Sequence, residues 1–185
     1  MKTKTKSAII TLAAGMITIV ICGCRYANTE NQADGYEPPV KISTIRVGKV
    51  DWNNPRLVLC YDEGGAPFSP REILTVRFAD RMLMCECFNN GNTNSVPYLR
   101  LRHQCKDSEW RYICNVLKRC HIEKWSVDYV DTYACDGTSW ILEIDSGEKE
   151  TKRVHGFNAY PDNFKQFLQL KKYAIEHPTA IHFNQ

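Results

Sequence analysis

EILTVRFADRMLMCECF, residues 72–88, alternates with a period of two: Leu74, Val76 and Phe78 form one apolar row, and Leu83, Cys85 and Cys87 form another. Side chains two apart share a face of a strand, whereas a helical face needs apolar residues three and four apart. The segment therefore predicts a β-hairpin that turns through Ala79-Asp80-Arg81 and turns both rows to a core. Outward from it, Leu57, Leu59 and Tyr61 alternate on the N-terminal side. On the C-terminal side Leu99, Leu101 and His103 point inward against Arg100 and Arg102. The period then changes, because Trp110, Ile113, Cys114 and Leu117 fall at i, i+3, i+4 and i+7, a helical stripe that Asp107 or Ser108 can cap. Trp125, Val127 and Tyr129 return to strand alternation. TSWILEID and KETKRVHG make a hairpin across Ser146-Gly147, with Trp140, Leu142 and Ile144 inward. A last helix starts near Pro161, whose missing N–H is no loss in a first turn. It carries Phe164, Phe167, Leu168 and Ile175 on one face, and Pro178 lies beyond its end. Strands, helix, strands, helix with short linkers predict an α+β fold, a mainly antiparallel sheet with two helices packed on one face.

With 43% hydrophobic and 24% charged residues in 185, the chain can bury the core of one domain and does not have the composition of a disordered chain. Its formal charge of +3 comes from Lys2, Lys4 and Lys6; setting these three aside leaves 21 of the 24 Lys and Arg against 21 Asp and Glu. A neutral body lacks the clustered cations that bind phosphate backbones by counterion release, which argues against a nucleic-acid partner.

The three lysines open a signal-peptide layout that continues with an apolar run from Ala8 to Cys22 and ends in Gly23-Cys24. A run of about 15 residues is short for a permanent span, which takes about 20. Ile21-Cys22-Gly23-Cys24 resembles the bacterial lipobox, an aliphatic, a small residue and Gly or Ala before an invariant Cys, with Cys22 as the departure. The resemblance implies a diacylglycerol on the Cys24 thiol, cleavage just before it, acylation of the new amine, and an envelope protein whose partner is a membrane. Each buried methylene contributes about 0.8 kcal/mol, so several acyl chains hold firmly where one holds marginally. An uncleaved signal anchor and an ordinary secretory signal are the competing expectations. Residues 25–39, RYANTENQADGYEPP, read as a polar tether with a reach of about 20 Å. The expected organisation is a signal peptide at 1–23, a lipidated N-terminus and tether at 24–39, and a single domain at 40–185.

Asp136, Gly137, Thr138, Trp140, Leu142 and Ile144, followed by Gly156, Asn158, Ala159, Tyr160, Pro161, Asn163 and Phe164, make a DGTxWxLxI strand leading into GxNAYPxNF. That pattern, over roughly 116–172, resembles a segment of an uncharacterised bacterial family and implies no activity. Its residues read first as fold grammar: a turn signal, a core anchor, and an Asn able to bond nearby backbone. A functional reading has Trp125, Trp140, Asn158 and Tyr160 lining a ligand cleft, since aromatic bodies with polar tips suit both cores and binding surfaces.

Beyond Cys22 and Cys24 the domain carries Cys60, Cys85, Cys87, Cys105, Cys114, Cys120 and Cys135. Seven cannot all pair, and in an oxidising compartment two or three disulfides are admissible, with Cys105, Cys114 and Cys120 as candidates. Cys85-x-Cys87 suits packing or a soft metal, and His103 with Cys120-His121 can be added to it, but the spacing does not require convergence. There is no Cys-x-x-Cys. Asp128, Asp131 and Asp136 lack the calcium-loop pattern, and no phosphate-binding, zinc-protease or nucleophile-elbow motif occurs. Neither a catalytic residue, a cofactor nor a metal is implied. The expectation is a noncatalytic lipoprotein whose domain binds another molecule, a class that includes inhibitor and immunity roles. The alternatives are an enzyme built on a Cys/His pair and a disulfide-stabilised structural module.

Overall fold

In the computed structural model, residues 40–65, 70–89, 96–148 and 150–183 are described; the leader and tether lie outside them. The predicted hairpin is there as Arg71–Arg77 (β3) and Met82–Phe88 (β4), in the register Leu74↔Cys85 and Val76↔Leu83. Arg81 closes its turn in the left-handed region (φ +54), and Asp80 accepts the Arg77 guanidinium. Val58–Gly64 (β2) and Leu99–Gln104 (β5) flank the hairpin, and Ser139–Asp145 (β7) pairs with Lys152–Phe157 (β8). Three further strands are Val40–Ile42 (β1), Asp128–Asp131 (β6) and Ala180–Phe183 (β9). Among the described residues they form one nine-stranded sheet in the order β1-β6-β8-β7-β2-β3-β4-β5-β9. All neighbours are antiparallel except β6 and β8.

Register explains why one face is apolar. Directly paired residues project to the same side. The rows Ile144–Leu59–Val76–Leu83–His103 and Leu142–Tyr61–Leu74–Cys85–Leu101 each run across five strands, and every member is buried. Two helices, Asp107–Arg119 (α1) and Phe164–Glu176 (α2), add Ile113, Val116 and Leu117, and Phe164, Phe167, Leu170 and Ala174, to the same core and touch each other. Their connections are long in space. The chain passes from β5 to β6, six places away in the sheet, or about 29 Å at the usual strand spacing. A helix of 13 residues covers about 20 Å of that distance. The architecture is α+β, and no described helix is long and apolar enough to cross a membrane.

Several boundaries differ from the sequence reading. Lys106, not Asp107 or Ser108, is the N-cap of α1, because Glu109 reaches back to its N–H (2.7 Å) in a capping box. Trp125 does not lie in a strand: Ile122–Lys124 is a 3-10 turn, Ser126 forms an isolated bridge to Arg46, and β6 begins only at Asp128. The carbonyl of Pro161 accepts the Phe164 N–H in a turn ahead of α2, so the helix starts at Phe164. Leu170 and Ala174 are buried, while Leu168 and Ile175 pack at the periphery. The edge strands β1 and β9 carry no signal in the sequence reading.

Gly156 lies opposite Trp140 in the β7–β8 register, and a Cβ built there would fall on the indole. Gly156→Ala should therefore destabilise the fold by about 3 kcal/mol, an overpacking cost. Adding Trp140→Phe to that variant should recover part of it, read as denaturant midpoints at unchanged m-value. Wild-type stability of Gly156→Ala would show that the indole is free to move.

Candidate functional site

Trp125, Trp140 and Tyr160 converge on Phe164. Its ring centroid is 5.8 Å from Trp125, 4.9 Å from Trp140 and 4.8 Å from Tyr160. Trp140 also stacks on Tyr160 at 5.9 Å and 9°. The polar tips are taken up by the protein: Trp140 Nε1–H donates to the Ala159 carbonyl (3.0 Å), and Trp125 Nε1–H is shared between the Cys120 carbonyl and Asn163 Oδ1. Asn158 acts on backbone. Its Oδ1 accepts the Thr138 N–H (2.8 Å), its Nδ2 donates to the Asp136 carbonyl (2.7 Å), and its own N–H donates to the Thr138 carbonyl (2.9 Å). This clamp needs Asn158 at φ +50 and Gly137 at φ +143, where any Cβ would strike the Asn158 amide. The motif residues thus tie the turn before β7 to the exit of β8. Trp125 and Trp140 are buried, and Asn158 and Tyr160 are half-buried.

A cleft of about 290 Å³ opens beside this cluster, lined by Asp62, Arg71, Ser139, Trp140, Ile141 and His155 together with Gly64, Gly65 and Gly156. Of the four predicted cleft residues only Trp140 lines it. Asp62 and Arg71 form a two-point ion pair (Nε–Oδ1 2.6 Å), and Asp62 holds the guanidinium above its ordinary pKa. Ser139 donates to the Gly64 carbonyl at 3.4 Å. A serine, a histidine and an aspartate are present, but Asp62 and His155 pair with opposite sides of Ile141. That is two strand spacings, about 10 Å of backbone separation, with Ile141 between them. What the cleft presents is an ion pair, an imidazole and a hydroxyl, while the Trp140 side chain itself is buried. Sequence alternation could have put Asp62, Arg71, Ser139 and His155 on outward faces, but only pairing brings four strands' residues to one place.

All seven domain cysteines are free thiols, so the admissible disulfides are not part of this fold. Burial pushes Cys60 up to about 11 and Cys105 and Cys120 up to about 12. Cys87 is the exception, lowered by a hydrogen bond from Cys85 that outweighs its burial, while Cys85 is raised by the same bond and by desolvation. The groups that set Cys87's ionisation are Cys85, Glu72, Lys171 and Tyr98, with no histidine among them. His103 is tied up elsewhere: its Nδ1 contacts the His177 carbonyl and must donate, and Nε2 lies 3.5 Å from Glu109 Oε2. No cluster of three or more His, Cys, Asp or Glu among the described residues can hold a metal ion.

Beside Cys87, Glu63 and Glu72 lie directly opposite each other on the core face of β2 and β3. Lys171 of α2 enters between them, 2.9 Å from Glu63 and in contact with Glu72. Burial disfavours the ammonium, but the two carboxylates outweigh it and raise its pKa.

Lys171→Met should cost about 3–5 kcal/mol by leaving two facing carboxylates uncompensated. Glu72→Gln in that background should recover much of the loss in denaturant titrations, and equal stability of the single and double variants would remove the charge argument. In thiol titration without reductant, a chain processed and lipidated at Cys24 should show seven thiols once denatured. In the native state Cys135, the exposed one, should react first and Cys60 only as pH climbs toward about 11. Fewer than seven would mean that disulfides form. No protein-family model matches this chain, and neither a curated protein nor a solved structure matches it significantly.

Proposed function

We propose that this chain is an envelope lipoprotein anchored to a membrane through Cys24, whose α+β domain, with both helices laid on one face of its sheet, is a noncatalytic binding module. The lipobox-like Ile21-Cys22-Gly23-Cys24 after a basic, apolar leader supports the anchor. The observation that carries the binding reading is the cleft on the outward face of the sheet, lined by the Asp62–Arg71 pair, Ser139 and His155. Its charged groups are committed to each other, which suits holding a partner's polar groups better than activating a nucleophile. Tyr160, Trp125 and Asn158 contribute by fixing β7 and β8, the strands that carry Ser139 and His155. A small tethered domain of this kind fits a role in binding and blocking another protein at the membrane, the inhibitor or immunity class.

Cells fed an alkyne-tagged fatty acid should yield labelled wild-type protein in the membrane fraction, whereas Cys24→Ala should be unlabelled. An unlabelled wild-type product excludes the anchor. Ser139→Trp, which fills the cleft from an exposed position, should abolish capture of any partner that co-purifies with the wild type from solubilised native membranes. Equal capture by both would move recognition away from the cleft.

A further inference from the structure

The buried row that reaches Leu101 does not end at β5. Leu101 pairs with Ile181, so β9 carries that row one strand further on the core face, and Leu99, the next core-face residue of β5, pairs with Phe183. Leu99 and Leu101 are 5% and 2% exposed, but Phe183 is 59% and Ile181 38% exposed, because the described residues place nothing beyond them. Among the described residues the outer backbone edge of β9 is likewise an unpaired strand edge. Proteins usually guard such an edge with a lysine, a proline or a bulge within the strand. The opposite edge has Lys41 in the middle of β1, whereas β9 reads Ala-Ile-His-Phe and carries none of these.

We infer that β9 is a docking edge for a second copy of this chain, pairing antiparallel with its own counterpart about a two-fold axis normal to the sheet. Three observations select this occupant. From β7 through β9 every neighbour is antiparallel, and such a two-fold makes the next strand antiparallel as well, extending the pattern. The strand has no acidic or basic residue apart from His182, so meeting itself juxtaposes no Lys, Arg, Asp or Glu. Its side chains also complement themselves. A two-fold axis centred on His182 sets Ile181 of each copy opposite Phe183 of the other. That is a β-branched–aromatic pair, one of the favourable cross-strand combinations, and symmetry makes it twice. His182 then faces its counterpart on the other side of the sheet. Pairing β9 with β1 of another copy would instead be head-to-tail and would build rings or open filaments in place of a closed pair. A four-residue strand pair is a small interface, so the dimer is a weak one that forms where copies are concentrated. The inference stands on the domain alone and does not require the Cys24 anchor.

The full chain, expressed in bacterial cells with p-benzoylphenylalanine in place of Phe183, tests it. Illumination should give an adduct of twice the chain mass, and mass spectrometry should map the link to residues 179–183 of the second copy. Ile181→Lys in the same background should reduce the adduct about tenfold, the loss expected for putting a charge on both copies of a cross-strand pair. Ile42→Lys, at the far edge of the sheet, should leave it unchanged. Ile181 is an edge residue, and an unaltered thermal midpoint checks that the variant is folded. If it is not, the cross-link map decides alone. A link to another protein, to a different part of the second copy, or no dimer adduct overturns the inference, as does full cross-linking by a folded Ile181→Lys.

Discussion

The indole of Trp140 occupies the space that any side chain at position 156 would fill. Because Gly156 leaves that space open, Trp140 lies flat against β8 with its N–H on the Ala159 carbonyl, and one of its faces is presented to Tyr160. Phe164, the first residue of α2, then packs on Trp140, Tyr160 and Trp125 together. The start of a helix, the exit of a strand and the chain after the 3-10 turn are therefore positioned by one ring. The Asn158 clamp fixes the backbone on either side of it, and the two left-handed or near left-handed residues it uses are an Asn and a Gly, the types that tolerate such geometry at little cost.

A second constraint acts at the same edge of the core. Two glutamates face each other across β2 and β3 where apolar residues occupy the neighbouring rows, an arrangement that repels unless a cation lies between. Lys171 supplies it from α2. Hydrophobic packing alone would let a helix slide on a sheet, but a buried ammonium with two carboxylate partners has one seat, so this triad sets the position of α2 along the strands. The cysteines fit the same picture. Most are small apolar fillers whose thiols burial holds in the neutral form, and the chemistry of the site falls to the outward Asp62, Arg71, Ser139 and His155.

The two faces of the sheet thus divide the labour. The core face holds aromatic rings, aliphatic rows and one compensated charge cluster. The outward face carries cross-strand ion pairs such as Arg71–Asp62, Arg100–Glu86 and Arg153–Glu143. The cleft lies on the outward face, where the end of β2 meets the start of β7, which is why it gathers charged and polar side chains.

Alternation in residues 72–88, 57–61, 99–103 and 138–156 was enough to assign the central strands and their inward residues, because a two-residue period is a local property and burial follows it. The helical stripe of α1 was legible for the same reason. The α2 face was read less well: Leu170 and Ala174 are the buried positions, since where a helix lies on its neighbours decides which flank of an apolar stripe is covered. Leader, lipobox and tether are statements about sequence chemistry and rest on Cys24 and its surroundings alone. Pairing was not legible. No local signal says that β6 runs parallel to β8, that Glu63 meets Glu72, or that Asp62 and His155 are held apart by Ile141, because register arises from contacts between segments far apart in the chain. The short edge strands β1 and β9, of three and four residues, become strands only by adding to a sheet already formed. Local order along the backbone was written in the amino-acid sequence; the cleft, the charge triad and the exposed edge exist only because tertiary structure brought distant residues side by side.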